Sequence, residues 1–366
     1  MLPLHRDAQT FADQSSATPQ TAHAGLWFDR FYNRYDADCS VPKNDSGKLA
    51  WIQSVCASPV GDQAILETHR KRQEVLALSL DGKAFSMETN WHFVTGMGNN
   101  HPVENGFAWH PTLGVPYLTG AAVKGILRAW CEVWALDTVD AATCLTWFGP
   151  SAKDLKGGMD GATGGLIFFD AIPTGQVRLK PDVMTPHYGK WYANGDTDPM
   201  NPEVTPADWH DPVPVPFLVV DKGQTFQFAI APRAGSETGL DDVKQAKELL
   251  IEALQWVGAG AKTSAGYGRM RSAEQMAEEA EALQRSQWLI SKISELAQTL
   301  HAPEDDILRG KPLADAWNVI EDADTRQQAL NEIRERWSEK GWWENPPGKS
   351  SRRARAVYDS PGNDAS

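Results

Sequence analysis

Residues 258–269 read Gly-Ala-Gly-Ala-Lys-Thr-Ser-Ala-Gly-Tyr-Gly-Arg, and the glycines at 258, 260, 266 and 268 restrict what can be built around them. Glycine supplies positive φ and lets two backbones approach with no Cβ between them. Upstream, Val243, Ala246, Leu250, Ala253, Leu254 and Val257 recur at helical spacing. Downstream, Tyr267 to Met270 is short and strand-like, with a strand expected over about 267–271. The segment therefore joins a helix to a strand. A Walker loop or a Rossmann fingerprint runs the other way, from strand to helix, and its glycine frame is missing. Two readings remain. One is a phosphate-backbone clamp. Loop N–H groups would form the anion-binding concavity, Lys262 and Arg269 would supply charge, Thr263 and Ser264 would add donors, and Tyr267 would offer a flat face to a base. Gly260 and Gly266 are then the expected points of positive φ or close approach. The other reading is a glycine-rich turn. No acidic residue occurs between Glu252 and Glu274.

The rest of the chain is not basic. Its 366 residues carry a formal net charge of −13, which argues against indiscriminate nucleic-acid binding. The charge is uneven. Residues 272–345 hold 16 Asp/Glu and 8 Lys/Arg, and residues 346–366 hold 4 Lys/Arg and 2 Asp. Those stretches are −8 and +2, so residues 1–271 carry −7. Any RNA contact there is a local patch. Cys39, Cys56, Cys131 and Cys144 show no C-x-x-C pairing, which points to reduced, buried thiols and a cytoplasmic setting. No apolar run approaches the ~20 residues of a membrane span, and no apolar signal-peptide segment opens the chain.

The periodicities order the chain. Residues 1–24 read as a flexible leader. Leu26 to Tyr35 is an aromatic and basic mixture suited to anchoring that leader or meeting a partner. Phe85 to Thr95 predicts a strand, with Asn90 to Thr95 at its heart. Thr119 is a candidate N-cap for a helix whose Val123, Ile126, Leu127, Trp130 and Trp134 form one expected buried stripe. Strands are predicted at Gly165–Ala171 and Gln224–Ala231, with a helix at about 240–257. Strand, helix, strand, strand, helix, strand is the order of a ferredoxin-like (RRM-like) α+β core. Residues 172–216 form a long inter-strand insertion containing His187, Tyr188, Lys190 and Trp191. Residues 272–345 read as an acidic helical appendage for packing or partner contact, and 346–366 as a disordered tail.

The run from Phe107 to Ala129 contains Pro116-Tyr-Leu-Thr-Gly120-Ala-Ala-Val-Lys124-Gly125-Ile-Leu-Arg128. It resembles the signature of the RAMP superfamily of CRISPR-associated proteins, whose second half is a glycine loop in the C-terminal third. Phe93 to Gly106, Leu166 to Ala171, Asp182 to Gly189 and Val215 to Val220 extend the resemblance to the sixth-subunit family of the type III-B Cmr effector complex. The resemblance covers about 25–35 and 85–271, and clearly covers neither the leader nor the acidic appendage. It implies an RNA-binding subunit that caps one end of a backbone filament, contacting crRNA towards its 3′ part and helping to hold complementary target RNA. Its partners would be the other Cmr subunits, with no cofactor and no membrane. Lys124, Gly125 and Arg128 would border the RNA groove together with the glycine loop. Lys124 and Arg128 are neighbours on one helix face, and no acid occurs between Glu104 and Glu132. By position, the insertion matches the β-hairpin thumb with which backbone RAMP subunits wedge between guide and target bases. Its His187, Tyr188, Lys190 and Trp191 would stack or meet phosphate. A structural hairpin is the alternative.

Some relatives in the superfamily are endonucleases that use histidine. His92, His101, His110, His187 and His210 are available, but none forms a pair at recognisable catalytic spacing. Asp170 is a lone carboxylate, and a two-metal nuclease needs several. The expectation is a non-catalytic chain. A metal-independent endoribonuclease and a protein-binding adaptor stand as alternatives.

Overall fold

The computed structural model describes residues 23–359, apart from 37, 39, 42–44 and 208. The leader to residue 22 and Cys39 lie outside the described residues. The chain divides into two compact units that part after Ala273.

The first unit opens with helix α1, Ala24–Arg30, capped by the His23 ring, which accepts from Leu26 N–H. The aromatic run anchors here. Phe28 and Tyr32 are buried, and Trp27 stacks on Trp51 with centroids 3.9 Å apart. Helices α2, Asp45–Val55, and α3, Gln63–Ser79, follow. Sequence reading assigns no element to this stretch. Most of α3 faces solvent, so its apolar stripe is thin, and its clearest signal is the N-cap Asp62.

Strand β1 is Lys83–Thr89. It is shorter than the predicted Phe85–Thr95, because Asn90 to Val94 pairs elsewhere. A two-strand ladder, β2 (Asn100–His101) and β3 (Glu104–Asn105), precedes helix α4, Gly120–Val133. Helices α5 (Ala141–Phe148) and α6 (Ala152–Lys156) lead into strand β4, Leu166–Phe168. Strand β8, Thr225–Pro232, helix α8, Leu240–Trp256, and strand β9, Met270–Ser272, complete the predicted alternation. The last strand starts later than expected, since Tyr267 to Arg269 belongs to the glycine loop. The central sheet runs β4-β8-β1-β9 and every pair is antiparallel. Side chains alternate across β8. Phe226, Phe228 and Ile230 join the core that holds Val123, Leu127, Leu250 and Leu254 of α4 and α8. Gln227 points the other way, donating to Arg70 O and Gln73 Oε1, so α3 covers the second face.

The insertion expected over 172–216 begins inside the sheet, where β5, Ile172–Pro173, pairs with β8. The chain then leaves as an antiparallel ribbon, β6 (Leu179–Met184) with β7 (Val215–Val220). Helix α7, Gly189–Asn194, lies in the excursion between them.

The second unit is helical: α9 (Ala273–Leu300), α10 (Glu304–Leu308), α11 (Lys311–Asn318), α12 (Ala323–Glu339) and α13 (Gly348–Asp359). Its core is aromatic, with Trp317, Trp337, Trp343 and Tyr358 buried together. Trp337 Nε1 donates to Leu308 O and Trp317 Nε1 to Arg326 O, so the indole donors are satisfied inside. Helix α13 corrects the expected disordered tail as far as Asp359, and residues 360–366 lie outside the described residues. Its composition is polar, but Ser351, Ala354 and Tyr358 form a narrow buried stripe that ties it to the core. No helix among the described residues is long and apolar enough to cross a membrane.

Tyr358→Ala should therefore cost about 3 kcal/mol, the usual scale for truncating a buried aromatic ring. Urea unfolding of the full chain followed by tryptophan fluorescence measures it. An unchanged midpoint would mean that the tail does not pack.

Candidate nucleic-acid interface

Helix α4 starts where the sequence places it. Thr119 Oγ1 accepts from Ala122 N–H, and Gly120 N–H donates to Asp170 Oδ1 at 2.6 Å. A Cβ on Gly120 would lie 2.1 Å from Phe168 O, so only glycine lets the helix begin this close to β4. Val123, Leu127 and Cys131 are buried. At 3.6 residues per turn, Lys124 and Arg128 fall on one flank of that stripe. Ala122, Ile126, Ala129, Trp130 and Val133 fall on the other, with Gly125 outermost.

The two flanks differ. Arg128 Nε donates to Glu132 Oε1 at 2.7 Å, and Nη1 donates to Gly149 O. Its guanidinium sits 5.9 Å over the Phe148 ring, with Asp154 3.9 Å away. Arg128 is thus tied to α5 and α6. Lys124 is half-buried and makes no hydrogen bond or ion pair among the described residues. Burial, then the nearby Arg128 and Arg233, hold its ammonium below the ordinary lysine range. Its charge lacks a counter-anion.

The other flank forms a groove of about 420 Å³ with the glycine loop, lined by Gly125, Ile126, Trp130, Trp134, Gly258 and Thr263 among others. The two sequence motifs do border one groove, as expected. Its charge is not as expected, because Lys124 and Arg128 lie on the far flank and the groove wall is apolar. The buried-stripe reading of α4 also needs correction. Trp134 is 69% exposed, and Ile126 and Trp130 are half-buried. The Trp130 and Trp134 rings lie 6.2 Å apart at 27° and face the groove. Exposed aromatic side chains were thus present in the sequence but masked by a helical period that core residues share.

The glycine loop is a closure. Ala261 N–H donates to Val94 O, Gly268 N–H to His92 O and Ala259 N–H to Gly268 O, while Arg269 O accepts from Asn90 N–H. Gly258, Gly260, Gly266 and Gly268 all have positive φ, and Lys262 joins them at +59°. A Cβ on Gly260 would meet Val94 O at 2.0 Å, and one on Gly268 would meet Ala259 O at 1.9 Å. At Gly266 and Gly125 a Cβ meets nothing within 4 Å. Thr263 to Ala265 makes one 3₁₀ turn, with Ser264 exposed. Lys262 Nζ lies 5.5 Å over the Phe217 ring of β7. Arg269 is exposed and has no side-chain partner among the described residues.

Tyr267 is less free than a stacking platform requires. Its hydroxyl donates to Asp182 Oδ2 at 2.7 Å, and burial together with that carboxylate pushes its pKa up to about 12. The same carboxylate lies 3.3 Å from His92 Nδ1, and His92 Nε2 lies 3.7 Å from Asp221 Oδ1. Burial raises the Asp221 pKa, but Lys180, the Lys222 N–H and His92 together outweigh it and hold the carboxyl below the usual range. The contacting pairs are 85, 90 and 129 positions apart, so sequence spacing gives no hint of the network. It links the ribbon to the glycine loop.

In the insertion, His187 is exposed, Tyr188 is half-buried, and Lys190 pairs with Glu203 at 2.8 Å. These residues precede or begin α7, outside the ribbon strands. The other candidate histidines, His92, His101, His110 and His210, are engaged in the fold. His101 Nε2 lies 3.0 Å from Phe28 O and Nδ1 accepts from Val103 N–H; burial lowers its pKa. His110 Nδ1 accepts from the Thr112 and Leu113 N–H groups, and burial followed by His69 lowers its pKa. His210 Nε2 lies 2.9 Å from Thr205 O. Among the described residues, no group of three or more His, Cys, Asp and Glu could hold a metal ion.

Residues 85–271 match the RAMP superfamily model. That is 187 of the 366 residues, just over half, and the chain belongs to this superfamily. It is 27% identical over 241 residues to the CRISPR system Cmr subunit Cmr6 of Pyrococcus furiosus, spanning 52% of this chain and 68% of that protein. A 98-residue stretch is 29% identical to the Cmr6 subunit of Saccharolobus solfataricus, spanning 26% of this chain and 30% of that protein. Among solved structures, a chain of the type III-B Cmr-beta complex bound to cognate target RNA is similar, with a TM-score of 0.46 and 21% identity over 62% of this chain and 70% of that one. The Pyrococcus furiosus Cmr6 crystal structure matches with a TM-score of 0.31 and 24% identity over 52% and 97%.

Three glycine substitutions separate closure from open surface. Gly260→Ala should destabilise the unit by several kcal/mol, since the backbone must move. Gly266→Ala should cost about 1 kcal/mol for its left-handed φ alone. Gly125→Ala should stabilise by up to about 1 kcal/mol through helix propensity. Thermal unfolding of the three variants gives the order, and equal losses would contradict the geometry.

Proposed function

We propose that this chain is a non-catalytic, RNA-binding subunit of a type III-B CRISPR (Cmr) effector complex acting in antiviral defence in the cytoplasm. Its RAMP unit is read as ferredoxin-like, because the order of its strands in the sheet, second-third-first-fourth, is what that topology gives. The subunit caps one end of the backbone. Its RNA is crRNA towards the 3′ part, with complementary target RNA held beside it and other Cmr subunits as neighbours. The Cmr6 relatives support the complex, and the geometry supports the path.

The observation that carries the reading is a pair of open glycines flanked by unpaired cations. Gly125 and Gly266 leave room for a ligand backbone. Lys124 on one side and Arg269 on the other lack a partner among the described residues. A phosphodiester strand crossing the outer face of α4 to the loop would neutralise Lys124, and its bases would find Trp134 exposed in the groove. The thumb residues His187, Tyr188 and Lys190 belong to this proposal as secondary contacts. Lys190 must first release Glu203. The absence of catalysis is proposed on the engagement of the histidines. Both ring nitrogens of His92 face carboxylates and both of His101 are hydrogen-bonded, so neither is free to move a proton on an RNA 2′-hydroxyl.

Lys124→Ala with Arg269→Ala should lower crRNA affinity and flatten its salt dependence by about 1.4 units of slope, 0.7 per single-strand phosphate contact. Arg128→Ala should mainly lower stability. Titration over a salt series measures both, and a folded double variant with unchanged affinity and slope would remove the path. In the same samples, specific cleavage that vanishes in His92→Ala would establish an endoribonuclease instead.

A further inference from the structure

The cations of the second unit are distributed in a way that its packing does not explain. Residues 274–366 hold 18 Asp/Glu and 12 Lys/Arg. Lys292, Arg309, Lys311, Arg336, Lys340 and Arg355 each pair with a carboxylate of the unit. Helix α13 differs. Its Ser351, Ala354 and Tyr358 face the core, and Arg355 lies 3.8 Å over the Trp343 ring. Lys349, Arg352 and Arg353 stand on the opposite face at spacings of three and four, all exposed. None of the three has an acidic partner among the described residues; Arg352 Nε donates only to Gly348 O of its own helix.

This placement carries an energetic cost. The three cations occupy the first half of a helix whose first turn holds no acid. Lys349 lies in the first turn, where the helix dipole is positive and cations are unfavourable, and the like charges three and four residues apart repel one another. Arg326 and Arg334 also make no ion pair among the described residues, but α13 gathers three such cations on one exposed helix face. An external anion would offset the cost.

We propose that the outer face of α13 is a second RNA-backbone contact, separate from the groove of the RAMP unit. Two guanidinium groups and one ammonium within about 6 Å along the helix axis suit phosphate oxygens, which arginine can engage bidentately. A protein partner is the poorer fit. Interfaces are anchored by buried aromatic and aliphatic side chains, and this face adds only Ala356 to its charges. The contact is independent of base sequence, because it reads phosphate alone.

The test uses the full chain and a labelled 20-nucleotide single-stranded RNA of mixed sequence, titrated by fluorescence anisotropy at several salt concentrations. Lys349→Gln, Arg352→Gln and Arg353→Gln together should lower affinity at least tenfold at low salt and flatten the salt slope by about 2 units. The melting temperature should hold or rise, since all three side chains are exposed and their mutual repulsion is removed. The conservative set Lys349→Arg, Arg352→Lys and Arg353→Lys should keep the slope. Arg355→Gln should lower the melting temperature and leave the slope alone. If the triple glutamine variant melts normally and binds RNA with unchanged affinity and slope, the proposal is overturned. It is also overturned if a poly-glutamate peptide binds the native chain as tightly as RNA and loses the same factor in the variant, which would make this face a protein-docking site. The double variant at Lys124 and Arg269 separates the two RNA contacts. An effect of the triple variant with none from the double leaves α13 standing and removes the groove path.

Discussion

The first unit depends on a contact that only glycine permits. Gly260 brings the loop after α8 against Val94 O, and Gly268 brings its return against Ala259 O. Through that closure the loop bonds the extended segment from Asn90 to Val94, which continues β1. One residue set therefore fixes the exit of α8, the entry of β9 and the distance from the loop to α4. The groove along α4 exists because this closure holds its second wall. The clamp and turn readings of the loop thus apply to different glycines. Gly258, Gly260 and Gly268 close the backbone, and Gly266 with Ser264 presents the open side.

Charge adds a second constraint. A chain of net −13 repels RNA at long range, so the proposed binding needs cations that the fold leaves without internal partners. Most are spent. Arg128 holds α5 and α6, Lys180 neutralises Asp221, Lys190 meets Glu203, and Lys262 rests on Phe217. Lys124, Arg269 and the outer face of α13 are among those left without an ion pair among the described residues. Under the proposed function, a bound strand would be held by few phosphate contacts supplemented by aromatic faces, and its salt dependence would be correspondingly shallow.

Much of the RAMP unit was legible from local signals. The cap at Thr119, the alternation in Gln224 to Ala231 and the apolar period of α8 each describe a residue's immediate neighbours, and all three stand in the structure. What escaped depends on partners distant in sequence. Asn90 to Val94 has strand composition but bonds the glycine loop, so the ladder stops at Thr89. Trp130 and Trp134 share the helical period of the core, yet the groove wall leaves Trp134 exposed. Lys124 and Arg128 read as a matched pair until Glu132, Gly149 and Asp154 claim one of them. Helix α13 was hidden by its charge, since its hold on the unit rests on three small or single contacts at Ser351, Ala354 and Tyr358. The Tyr267, Asp182, His92 and Asp221 network has no sequence signature.

The central claim is that RNA runs across the outer face of α4 onto the glycine loop. Photo-crosslinking of the full chain to bound crRNA, with the attached peptides read by mass spectrometry, tests it most directly. The account predicts crosslinks within residues 120–134, Trp134 foremost, and within 262–269. Crosslinks confined to other segments, with none in either of these from a complex that binds RNA at full stoichiometry, would contradict it.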